Sequence, residues 1–196
     1  MYVKNITKGF WGKTVLDGFS ADFPTGGISC ITGSSGIGKT TLLNIIMKLV
    51  PSDGGEIDPD FGGRISAVFQ EDRLCERLSA AANVKLVCCK SVSDEYIFAA
   101  LAEVGLERSD CLKPVSELSG GMRRRAAVVR AVIAESDILI MDEPFKGLDE
   151  ENRRRTVDYV LKNRRGRTLI AVTHDPAEID MLGGKIFKIS AKAIDE

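Results

Sequence analysis

Gly33-Ser34-Ser35-Gly36-Ile37-Gly38-Lys39-Thr40-Thr41 separates a short apolar run, Ile28-Ser29-Cys30-Ile31-Thr32, from a second one, Leu42-Leu43-Asn44-Ile45-Ile46-Met47. It satisfies the pattern G-x-x-x-x-G-K-[ST], and the order strand, loop, helix is the context in which that pattern cradles phosphate. Gly33, Gly36 and Gly38 lack a Cβ, so the backbone can turn tightly and bring its N–H groups against phosphate oxygens. A helix starting near Gly38 adds its positive dipole end, Lys39 a point charge for the β- and γ-phosphates, and the Thr40 hydroxyl a ligand for Mg²⁺. A plain glycine-rich turn before a helix would need none of Lys39, Thr40 and both flanks.

The second nucleotide signal is Ile138-Leu139-Ile140-Met141, a continuous apolar run that ends abruptly in Asp142-Glu143-Pro144. Such runs form central strands of parallel sheets, and open α/β sheets bind ligands outside the carboxyl ends of their strands. Asp142 is therefore placed to hold Mg²⁺ through water, and Glu143 to polarise the water that attacks a γ-phosphoryl group. That is hydrolysis of ATP. Thr168-Leu169-Ile170-Ala171-Val172-Thr173 repeats the pattern and is followed by His174, the single histidine of the chain. A lone histidine is often structural, but at a strand end facing the same crevice it reads as a γ-phosphate sensor. Gln70, after the strand-like Arg64 to Phe69, can coordinate the metal or orient the water; taken alone it is an ordinary strand-end polar residue.

Around these elements, Met1 to Phe23 alternates loosely and breaks at Gly9, Gly12 and Gly18, predicting two or three short strands in an antiparallel layer. Phe10 and Trp11 fall in its first turn, where an aromatic is either core or a platform for a base. From Leu74 to about Lys113 the apolar spacing turns helical, predicting an inserted helical subdomain. Ser119 or Gly120 can cap the helix that follows, whose basic start, Arg123-Arg124-Arg125, reads as a solvated face, as do Arg153-Arg154-Arg155 and Arg164-Arg165-Arg167. A charged helix is expected from Glu150 to Asn163, and Lys185 to Ile189 as a final strand.

The 196 residues suit one domain, and 27 basic against 28 acidic residues leave no global field calling for nucleic acid. Five cysteines without a C-x-x-C pair indicate neither a disulfide framework nor a zinc site, and read as reduced thiols of a cytosolic protein. No apolar run approaches the ~20 residues that span a bilayer.

With Leu118-Ser119-Gly120-Gly121-Met122 the chain resembles the ABC ATPases. Their motifs occur here in family order: Walker A from Gly33 to Thr40, Gln70 as the Q-loop, the signature, Walker B from Ile138 to Glu143, Leu148-Asp149 as the D-loop and His174 as the switch histidine. The resemblance covers nearly the whole chain. It implies an α/β P-loop NTPase fold with a RecA-like, mostly parallel sheet, an N-terminal antiparallel β layer and the inserted helical subdomain. That is one domain over 1–196, with its nucleotide-binding core at 1–70 and 119–196 and the helical part at about 74–118.

The resemblance further implies ATP and Mg²⁺ as ligands, the metal at Thr40, Gln70 and Asp142. Phe10 matches the aromatic that stacks on adenine, with Trp11 second. Two such subunits would dimerise head to tail around ATP, with Ser119, Gly120, Gly121 and Asp149 contributing to nucleotide contacts. Separate transmembrane permease subunits, and a solute-binding protein, would be the other partners, with this chain peripheral on the cytoplasmic face of the membrane. The stretch Gln70-Glu71-Asp72-Arg73-Leu74, on to Asn83-Val84, is similar to importers of nitrate, sulfonate or taurine type. An end near Glu196 and a short helical part fit a minimal importer ATPase. The alternative class is a soluble ABC ATPase acting on nucleic acid or ribosomes; those usually carry two cassettes or a long inserted coiled coil, and neither is present. Two positions depart from the family pattern: Met122 stands for the usual Gln, and Lys146-Gly147 for a small pair such as Ser-Ala.

Overall fold

Every residue of Ile138–Asp142 and of Thr168–Val172 is buried, as a continuous apolar run demands of strands covered on both faces. These are β6 (Ile138–Asp142) and β7 (Thr168–Val172), the middle of a five-stranded parallel sheet in the computed structural model, which describes residues 1–89 and 91–190. The order across the sheet is β5 (Ile65–Val68), β6, β7, β3 (Ile28–Thr32) and β8 (Lys185–Lys188). All four pairings are parallel. The carboxyl ends of β3, β5, β6 and β7 thus lie along one edge, carrying the phosphate loop, Gln70, Asp142-Glu143 and His174.

Alternation along the strands divides the core. Ile138, Ile140, Ile170 and Val172 pack with Leu42, Leu43, Ile45 and Ile46 of α1 (Lys39–Ile46) and with Val3, Ile6, Leu16 and Phe23 of the N-terminal layer. Leu139, Met141, Leu169 and Ala171 face the other way, toward α5 (Gly120–Ile133) and α6 (Glu150–Asn163). The period of two places each set on its own face. Burial of this kind contributes roughly 25 cal/mol per Å² of apolar surface.

The N-terminal layer is antiparallel, but not built from short strands. β1 (Tyr2–Phe10) and β2 (Lys13–Asp22) form one long hairpin, and the third strand, β4 (Gly54–Ile57), arrives from beyond α1 to pair with β1. Of the three glycines expected to break it, only Gly12 sits in a turn. Trp11 and Gly12 both have positive φ, 49° and 77°, as a two-residue hairpin turn matched to strand twist requires. Gly9 continues β1, and Gly18 is absorbed where the register shifts, because a bulge takes up an extra residue without ending the strand.

Residues 74–118 hold α2 (Ala80–Lys85), α3 (Asp94–Glu103) and α4 (Arg108–Cys111). Ser79 and Ser93 cap the first two, accepting from Ala82 N and Tyr96 N. The stretch from Leu74 to Ser79 is not helical; buried Asn83 ties it down, accepting from Cys75 N at 2.7 Å and donating to the carbonyls of Cys75, Leu78 and Ser79. Val84, Ile97, Leu101 and Val104 share one core with α5 and the sheet. α7 (Pro176–Leu182) follows β7. Residues 191–196 of the expected 1–196 domain lie outside the described residues.

Candidate functional site

The loop after β3 has the conformation its glycines predict. Gly36 and Gly38 take φ of 76° and 105°. A Cβ on Gly38 would come within 2.8 Å of Leu16 Cδ2 and 3.0 Å of the Val15 carbonyl, so β2 leaves no room there. Lys39, buried at the first position of α1, folds back and donates to Gly33 O and Ser34 O, both at 2.8 Å. An ammonium has three donors, so one remains for a ligand.

Across the loop, the Thr40 hydroxyl donates to Asp142 Oδ2 at 2.6 Å. Burial pushes the Asp142 carboxyl above its ordinary range, against the Thr40 hydrogen bond that favours the charge. A cavity of about 220 Å³ is lined by Ser35, Gly36, Gly38, Lys39, Thr40 and Thr41 from the loop and by Gln70, Asp142 and Glu143 from neighbouring strand ends. A longer groove of about 940 Å³ leads away past Ile37 along Lys13 to Ser20 of β2.

Glu143 has φ 47°, a left-handed conformation that a non-glycine residue adopts at a cost, and its N–H is held by Val172 O at 2.9 Å. The strain turns its carboxylate out of line with β6. His174 Nδ1 lies 3.3 Å from Oε1, and Lys146 Nζ lies 2.8 Å from Oε2. Burial would raise this carboxyl, but Lys146 and then His174 outweigh it and keep it below the usual carboxylate range. His174 lines a second cavity, of about 200 Å³, that Glu143 shares.

The other expected positions stand apart from the phosphate cavity. Ser119 caps α5, its Oγ accepting from Met122 N at 3.3 Å, and it and Gly120 are exposed. Gly121 lies against Leu148, whose Cδ2 would be 3.4 Å from a Cβ there, so the signature and D-loop share one surface. Asp149 caps α6 by accepting from Asn152 N at 2.8 Å. Phe10 is half-buried with the Lys8 ammonium 5.3 Å from its ring, while Trp11 beside it is fully exposed.

Members of two basic runs turn inward, whereas Arg154 and Arg155 of the third are exposed, as expected of a solvated face. Arg124 and Arg125 are buried, and Arg167 directs its guanidinium to the carbonyls of Val132, Ala134, Asn163 and Arg164, the C-terminal ends of α5 and α6. A guanidinium there complements the negative ends of two helix dipoles. Arg124 and Lys146 are the site residues that sequence reasoning missed. For Arg124 a signal existed, since it shares a helical face with Val128, Ala131 and Val132; for Lys146 the signal was its departure from the small residue usual before the D-loop.

A family model described as ABC transporter matches residues 16–146. The chain is 37% identical over 193 residues to the aliphatic sulfonates import ATP-binding protein SsuB 2 of Agrobacterium fabrum, covering 94% of this chain and 73% of that protein. It is 36% identical to SsuB 1 of Pseudomonas fluorescens, covering 98% and 74%. Among solved structures it resembles the dimeric ABC transporter cassette MJ0796, with a TM-score of 0.81 at 27% identity over 96% of this chain and 94% of that one. A post-hydrolysis dimer of the same cassette bound to ADP and phosphate matches with a TM-score of 0.81, 25% identity and the same coverage.

Proposed function

The chain belongs to the ABC transporter family and is an ATP-binding, ATP-hydrolysing subunit that energises import, and from that premise we propose which residues carry the hydrolysis and what the transporter moves. The carrying observation is the convergence of Lys39, Thr40, Gln70, Asp142 and Glu143 on one cavity. Lys39 and the N-terminal N–H groups of α1 bind the β- and γ-phosphates. Glu143 accepts the proton of the attacking water, Gln70 orients that water, and His174 hydrogen-bonds the γ-phosphate. The groove along β2 takes the nucleoside, and Phe10 with Trp11 offers stacking surface for its base.

Mg²⁺ fits Thr40, Asp142 and Gln70. This ion is held by one or two carboxylates together with substrate phosphates rather than by an all-protein cage, and among the described residues no group of three or more His, Cys, Asp or Glu side chains could hold a metal. Asp142, buried and among the described residues bonded by one hydroxyl, is a carboxylate that gains from a cation. When bound, the ion neutralises charge on the β- and γ-phosphates.

The chain works as a dimer with membrane permease partners. The dimer is head to tail, with Ser119 and Gly121 of the partner subunit closing each phosphate site. Among the described residues no helix is long and apolar enough to cross a membrane. In this reading the permease is formed by separate chains, with this one on its cytoplasmic side and a solute-binding protein as a further partner. The transported solute is an aliphatic sulfonate or similar small anion, supported by the relatives' names. A nucleic-acid role is not favoured, because Arg124, Arg125 and Arg167 are engaged with protein acceptors. Glu143→Gln is the test: ATP still binds, turnover stops and an ATP-bound dimer accumulates. Normal hydrolysis in that variant would remove Glu143 from the base role. Sulfonate-dependent stimulation of the permease complex tests the solute.

A further inference from the structure

Arg124 stands five residues beyond the exposed Ser119 that caps α5, yet only 5% of its side chain is exposed. Nη1 donates to Phe69 O at 2.6 Å and to Asp72 Oδ1 at 3.1 Å; Nη2 donates to Gln70 O at 2.9 Å and to Glu143 O at 3.1 Å. One planar fork therefore joins the signature helix to the backbone of the two residues assigned to the attacking water. Among the described residues Asp72 is its one carboxylate partner. Desolvating a guanidinium is costly, and a leucine or methionine would cover the same face without that cost. What an aliphatic side chain cannot do is hold three carbonyls in fixed directions.

The adjacent arginine points elsewhere. Arg125 donates to Val104 O at 2.6 Å, Gly105 O at 2.9 Å and Asn152 Oδ1 at 2.7 Å, fastening α5 to the end of α3 and the start of α6. The start of α5 is thus held on one side to the helical segment and on the other to the catalytic strand ends. A shift of α5 along its axis by about one ångström would break bonds already at ordinary hydrogen-bond length, so the carbonyls of Gln70 and Glu143 must follow it.

We propose that Arg124 is a positioning residue that couples the two ATP sites of the dimer: it transmits the occupancy sensed by Ser119 and Gly121 at one site to Gln70 and Glu143 at the other. The inference rests on the head-to-tail dimer proposed above. In that arrangement the signature of one chain faces the partner's nucleotide, while its own Gln70 and Glu143 serve its own, so one guanidinium spans the path between sites. Coupling of this kind appears as cooperativity, which a merely buttressing side chain would not alter.

The test uses the purified full chain. Steady-state hydrolysis is measured against ATP concentration for the parent, Arg124→Gln and Arg124→Lys, with melting temperature and affinity for a fluorescent ATP analogue as controls. The parent is expected to show a Hill coefficient of about 2. Arg124→Gln should keep ATP affinity within about twofold, lose about tenfold in kcat and fall to a Hill coefficient of about 1, with Arg124→Lys between the two. A folded Arg124→Gln with the parent's Hill coefficient overturns the proposal, whatever its kcat; so does a parent that dimerises with ATP but hydrolyses it without cooperativity. Should Arg124→Gln not fold, Arg124→Lys decides by the same criterion. Failure of Glu143→Gln to dimerise in ATP would instead defeat the head-to-tail reading, an outcome visible by size-exclusion chromatography and separate from the Hill coefficient.

Discussion

Lys146 Nζ lies 2.8 Å from Glu143 Oε2 while His174 Nδ1 lies 3.3 Å from the other oxygen, so both oxygens of the proposed base are engaged before any water arrives. Lys146 is 56% exposed, which leaves its pull on the carboxylate screened and modest. Lys146→Ala should therefore raise ATP turnover of the isolated protein by about two- to fivefold, with unchanged ATP affinity. A phosphate-release assay on protein free of its permease measures this. Slower turnover would mean that Lys146 supports the base rather than restrains it.

Two of the three positive-φ glycines of the phosphate loop, Gly36 and Gly38, should respond differently to alanine. At Gly36 an added Cβ meets nothing within 4 Å, whereas at Gly38 it meets Leu16 and Val15 at 2.8–3.0 Å. Gly36→Ala is expected to cost about 1 kcal/mol of stability from backbone strain alone. Gly38→Ala adds a clash with β2, and its cost should exceed about 2 kcal/mol, with ATP binding lost as the loop is displaced. Urea denaturation of the two variants compares them; equal losses would mean that β2 yields.

Metal dependence follows from the Thr40–Asp142 pair, whose oxygens stand 2.6 Å apart. Asp142→Asn keeps the shape and the hydrogen bond but removes the charge. The Mg²⁺ concentration for half-maximal hydrolysis should rise by about tenfold or more, while nucleotide affinity in excess EDTA stays near that of the parent. An unaltered Mg²⁺ requirement would place the metal elsewhere.

Much of this site is legible in sequence because it consists of strand ends. A buried parallel strand needs a continuous apolar run, so its carboxyl end is visible wherever that run meets polar residues, as at Met141-Asp142 and Thr173-His174. The phosphate loop is legible because glycine, lysine and hydroxyl must stand at fixed offsets around one anion. Pairings set by distant residues are not legible. Nothing local tells Gly54–Ile57 to join β1, and nothing in Arg123-Arg124-Arg125 names the distant acceptors of its second and third members, Phe69 O and Asn152 Oδ1 among them. Periodicity places Arg124 on the apolar face with Val128, but a guanidinium belongs in solvent unless carbonyl acceptors wait beneath, and those come from distant residues.

The loop that carries His174 has its own pH dependence. Glu178, just beyond it on α7, is 5% exposed, and the Thr173 hydroxyl donates to its Oε2 at 2.5 Å. Burial pushes the Glu178 carboxyl above its ordinary range, with Asp175 adding to the effect and the Thr173 hydrogen bond opposing it. The folded chain therefore holds this proton more tightly than the unfolded chain does. Its contribution to stability is complete below the unfolded carboxylate pKa and is lost as pH rises through the higher folded value. Glu178→Gln imitates the protonated form at every pH. The variant should be more stable than the parent near pH 8, by about 1.4 kcal/mol for each unit by which the folded pKa is raised, and the difference should shrink as pH falls toward about 4. Denaturant titrations at the two pH values measure it. A gap that stays constant on acidification would show that the carboxyl titrates alike in the folded and unfolded chains, and a parent that gains on the variant as pH rises would show that Arg153 and His174 outweigh burial.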